Sequence, residues 1–99
     1  MGKRVYLAAR DLVFRSKLGT VAAAAGAEPV RDPDVCDVAV LDAEAPEAVA
    51  RIRGFVARGI PVLAYGAHVR ADLLRAAREA GAVAVPNSQI ETALRELLG

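Results

Sequence analysis

The chain has 99 residues, enough for one domain that buries roughly two-thirds of its unfolded surface and folds without disulfide or metal staples. Apolar residues make up 55% and charged ones 25%, which excludes an intrinsically disordered chain, although much of the apolar share is alanine and the core is expected to be thin. Thirteen basic side chains against twelve acidic ones leave a formal charge of +1, too little for the electrostatic footprint of a nucleic-acid or anionic-membrane binder.

Short apolar runs alternate with segments of helical period, the pattern of an α/β fold with a parallel sheet. Val5 to Ala9 reads as the first strand. Asp11 then caps a helix whose inward face carries Phe14, Leu18, Val21, Ala22 and Ala25, and Gly26 ends it. Glu28 to Arg31 is a short edge strand, with Pro29 and Pro33 stiffening a tight return to a buried strand from Val35 to Asp42. A parallel crossover normally takes a dozen or more residues and holds a helix, and there is no room for one here.

Asp42 is followed by Pro46, which opens a helix with Val49, Ile52 and Val56 on one face and Gly59 at its end. Ile60 to Tyr65 is the next strand, its Pro61 placed where a missing amide hydrogen is tolerated. A helix from Val69 to Ala80 turns Leu73, Leu74 and Ala77 inward and stops at Gly81. After a short strand, Ala82 to Val85, Ser88 and Glu91 form a capping-box pattern ahead of an amphipathic helix marked by Ile90, Ala93, Leu94, Leu97 and Leu98.

Few residues carry chemistry. Cys36, the one cysteine, reads as an inert thiol at the start of a strand, which suits a reducing cytoplasm. No run has signal-peptide or membrane-spanning length, so the expectation is a soluble cytoplasmic protein with no membrane partner. The outward arginines, Arg51, Arg53 and Arg58 and then Arg70, Arg75 and Arg78, read as solvated helix faces. With two tyrosines, two phenylalanines and no tryptophan, no stacking platform for single strands is evident, and no nucleic-acid partner is expected.

The run Asp37-Val-Ala-Val-Leu-Asp42-Ala-Glu-Ala-Pro46 resembles the third strand of response-regulator receiver domains, with Asp42 at their phospho-acceptor position. Ile60-Pro-Val-Leu-Ala-Tyr-Gly66-Ala-His68 is similar to their fourth strand and following loop, and Ala80-Gly-Ala82 to the entry to their fifth. The resemblance covers nearly all of residues 1–99 as a single domain. It implies a three-layer α/β/α, flavodoxin-like fold with a parallel sheet of order 2-1-3-4-5, here with a short second strand and the second helix missing.

Four features of active receivers serve to test the likeness. Two acids after the first strand hold magnesium there; the matching positions here are Ala9 and Arg10. The switch hydroxyl after the fourth strand is replaced by Gly66, and no lysine follows Lys17 to neutralise a phosphoryl group. Only the acceptor, Asp42, is kept.

The expectation is therefore a stand-alone, degenerate receiver, not an enzyme, with no metal and no cofactor, working through a protein partner or a homodimer. Arg10 either pairs with Asp42 in place of the metal or points into water. Two alternatives stay open: phosphorylation of Asp42 in some altered way, and a small anion held at the sheet's carboxyl edge by Arg10, Asp11, Asp42, Gly66, His68, Asn87 and Ser88. Loss of the second helix is expected to leave apolar surface on the first and third strands as a contact patch, the face of the last two helices being the other candidate.

Overall fold

The alternating periods resolve into five strands and four helices among the described residues, 2–99, of a computed structural model. In chain order these are β1 (Arg4–Ala8), α1 (Leu12–Ala24), β2 (Glu28–Val30), β3 (Val38–Asp42), α2 (Ala48–Ala57), β4 (Val62–Gly66), α3 (Ala71–Glu79), β5 (Val83–Pro86) and α4 (Ile90–Leu98). Every pairing is parallel, and the strand order is β2-β1-β3-β4-β5.

The central strands explain their own composition. β4 is buried throughout and β3 from Val38 to Leu41, because helices cover both faces, so each reads as an unbroken apolar run. On one face Ala39, Leu41, Val62 and Ala64 pack with Ile52 and Phe55 of α2 and Leu74 and Ala77 of α3. On the other, Val5, Leu7, Val38, Val40 and Leu63 pack with Leu18, Val21 and Ala22 of α1 and Ile90 and Leu94 of α4.

Asp11 caps α1, its Oδ1 accepting from the Val13 N–H at 2.8 Å and the Phe14 N–H at 3.3 Å. Several local expectations are corrected. Ala25 is exposed rather than inward, because it is already the residue that closes α1. Val56 is 40% exposed, and Phe55 takes its place in the core, since the buried stripe of α2 runs through Ala48, Ile52 and Phe55. The Ser88 and Glu91 capping box does not form: Ser88 lies inside a 3₁₀ turn, Asn87–Gln89, that feeds straight into α4.

No α-helix lies between β2 and β3 among the described residues. The third strand does not begin at Val35, because residues 33–35 form a 3₁₀ turn instead, with Pro33 in its first turn and the Asp32 carboxylate accepting from the Asp34 N–H at 2.9 Å. Arg58 holds that turn from α2, donating to the carbonyls of Pro33 and Asp34 at 3.0 Å each, and its guanidinium lies 5.6 Å from the centre of the Phe55 ring. The turn and α2 leave β3 covered, contrary to the expected patch there, while Tyr6 and Ala8 of β1 remain half-buried.

Candidate functional site

Parallel strands bring their carboxyl ends to one edge, and the loops that follow make the crevice where α/β sheets usually place their chemistry. Pairing of Ala8 with Leu41, Asp42 with Tyr65 and Gly66 with Pro86 sets the ends of β1, β3, β4 and β5 side by side. The Ala43 N–H donates to the Tyr65 carbonyl at 2.8 Å, which pins the chain just after Asp42.

Both oxygens of Asp42 have partners. Oδ1 accepts from the Glu44 N–H at 2.8 Å in a local turn, and Arg10 Nη2 lies 3.6 Å from Oδ2. The Asp42 side chain is 18% exposed and that of Arg10 62%. A pair whose arginine is so open to solvent adds only about 0–1 kcal/mol to stability.

The remaining candidates divide. The carboxylate of Asp11 serves the amides of α1. Gly66 is buried, and a β-carbon there would sit 3.4 Å from Leu74 and 3.8 Å from Glu44 Oε2. His68, Asn87 and Ser88 are exposed on the same edge, and among the described residues no hydrogen bond or ion pair ties their side chains to Asp42 or Arg10.

Sequence reading missed three members of this edge. Glu44 Oε2 accepts from the Ala67 N–H at 3.2 Å and so ties the loop after β3 to the loop after β4. Arg15 Nε and Nη2 donate to the Ala9 carbonyl at 3.2 and 3.0 Å. Tyr65 stacks on Phe14, with ring centroids 4.7 Å apart and planes at 14°. The two-residue step from Asp42 to Glu44 is a local turn signal; the other contacts join residues that spacing does not connect.

Comparison with solved structures then fixes the fold. A response regulator from Thermotoga maritima superposes with a TM-score of 0.77 at 14% identity, covering 99% of this chain and 98% of that one. The signal receiver domain of NarL from Mycobacterium tuberculosis gives a TM-score of 0.75 at 18% identity, over 97% and 92% of the two chains. The chain has a receiver-like fold. A de novo designed Rossmann 2x3 protein superposes almost as well, at a TM-score of 0.73 and 17% identity over 99% and 90% of the chains, so these likenesses speak for architecture. No family model and no curated protein matches the sequence.

The sequence resemblance puts Asp42 at the receivers' acceptor position and implies magnesium beside it. Magnesium demands several hard oxygen ligands in octahedral geometry. Here an arginine stands on one oxygen of Asp42 and an amide on the other, Asp11 is engaged as a cap, and Glu44 is turned toward Ala67. Among the described residues, no three His, Cys, Asp or Glu side chains come together. The donor set does not fit the ion.

Tyr65 carries a pH dependence of its own. Burial, and then the nearby charge of Asp42, push its hydroxyl up from the ordinary 10 to about 12. The folded state thus resists losing this proton, so the stability Tyr65 contributes is complete below pH ~10 and is lost as the pH rises toward 12. Guanidinium midpoints should fall across that window, and Tyr65→Phe should flatten this part of the curve. A slope identical in the variant would remove Tyr65 as the cause.

Proposed function

We propose that this chain is a receiver-like protein-interaction module in signalling or regulation, whose contacts do not depend on phosphorylation and which acts by binding rather than by catalysis. The observation that carries the reading is the guanidinium of Arg10, 3.6 Å from the acceptor-equivalent carboxylate of Asp42. Phosphoryl transfer works through positioning and cationic charge stabilisation, with metal ions neutralising the developing charge. At this edge the cation beside Asp42 is the exposed guanidinium of Arg10, Arg15 is engaged with the Ala9 carbonyl, the hydroxyl position is Gly66, and no lysine lies beyond Lys17.

Incubation with acetyl phosphate and magnesium, followed by intact mass measurement, should leave the chain unmodified. A stable gain of one phosphoryl unit, lost in Asp42→Asn, would instead make the chain a phospho-acceptor. Contact surface is available on the face built by the last strand and helix: Val83 is 57% exposed beside a groove of about 580 Å³ between β5 and α4. No helix among the described residues is long and apolar enough to cross a membrane.

A further inference from the structure

We propose that the open upper half of β1 takes up an extended, acidic segment of a partner protein as an added strand. The assignment gives the interaction module a class of partner and rests on that reading. β1 pairs with β3 as far as Ala8 and Leu41, but with β2 only as far as Tyr6 and Val30. The Glu28 N–H donates to the Lys3 carbonyl, and the Asp37 N–H to the Arg4 carbonyl, so odd-numbered positions of β1 face β2 and even-numbered ones face β3. Beyond Tyr6, therefore, no strand among the described residues lies opposite the Leu7 carbonyl. The next carbonyl on that side, Ala9, is met by a side chain, Arg15.

A groove of about 650 Å³ opens at this place, with Leu7, Ala8, Val30 and Leu12 among its walls. Leu12 is 72% exposed, an apolar side chain without cover. The charged residues that line the groove are Arg15 and Arg31, and no acid lines it. An added strand would gain a main-chain hydrogen bond at the open Leu7 carbonyl, apolar contact with Leu12, and charge complementarity from carboxylates placed toward the two arginines.

The same features disfavour a second copy of this chain. Glu28 faces β1, so Pro29 faces outward, and its missing amide hydrogen blunts the outer edge of β2. Two copies meeting at the open part of β1 would set arginine against arginine.

The test is a titration of the full ¹⁵N-labelled chain at low salt with a capped hexapeptide of alternating valine and glutamate, against a control of alternating valine and lysine. Saturable shifts of the Leu7, Ala8 and Ala9 amides are expected, with binding at least about tenfold weaker for the lysine peptide and for the exposed-site variants Arg31→Glu and Leu12→Glu. Equal response to the two peptides, shifts confined to the groove between β5 and α4, no shift at all, or edge-to-edge dimers of the free chain in sedimentation would overturn it. A phosphoryl adduct on Asp42 would overturn the phosphorylation-independent reading instead, so the two failures can be told apart.

Discussion

Replacing Leu18 with alanine is expected to cost about 2–5 kcal/mol of folding stability, a large part of the ~5–15 kcal/mol typical of a domain. The reason lies in the composition of α1, where the buried residues are Leu18, Val21 and Ala22 and the helix ends in alanines. Leu18 is fully buried, and it packs in the layer that holds Val5 and Val40 of the sheet and Leu94 of α4. No neighbouring large side chain on α1 can close the cavity, because Phe14 is only half-buried and already stacks on Tyr65. Guanidinium unfolding should show a lower midpoint with an unchanged slope, while the volume-conserving Leu18→Met should lose less than about 1.5 kcal/mol. A loss near zero for Leu18→Ala would mean that α1 is held by something other than this contact.

Gly81→Ala is the second large effect expected, about 1–3 kcal/mol from backbone strain alone. Gly81 turns α3 into β5 with φ at +108°, a conformation that side-chain-bearing residues rarely adopt. An added β-carbon would also lie 3.0 Å from Val56 Cγ2 and 3.3 Å from Val56 Cγ1, across the contact between α2 and α3. Val56 is 40% exposed, so Val56→Ala is a mild change on its own. In the double variant Val56→Ala/Gly81→Ala the crowding is relieved and the strain is not, so stability should return only in part. Full recovery would assign the whole cost to the contact and none to the backbone.

The Leu18 effect follows from how little the core has to spare, and that bears on the proposed function. Arg58 holds the 3₁₀ turn at Pro33 and Asp34, which with α2 leaves β3 covered although no α-helix lies between β2 and β3 among the described residues. The shortened crossover keeps β3 dry and leaves the consequence at the edge, where β1 outruns β2. The short crossover, expected to expose a sheet face, is accompanied by an unpaired strand edge.

What the sequence determined by itself is local or periodic. Strand-length apolar runs at Val38 to Leu41 and Val62 to Tyr65, the Asp11 cap and the glycines that close the helices act within a few residues of themselves, so the elements and their parallel packing could be read before any contact was known. The absence of room for a helix after β2 was likewise a matter of counting. Tertiary structure decided what depends on residues far apart in the chain: that Arg58 reaches back to Pro33, that Glu44 ties Ala67, that Phe55 rather than Val56 enters the core, and that Arg10 comes within 3.6 Å of Asp42. Side-chain reach and the phase of a helix stripe against its neighbours set these contacts, and neither is written in spacing along a single strand of sequence.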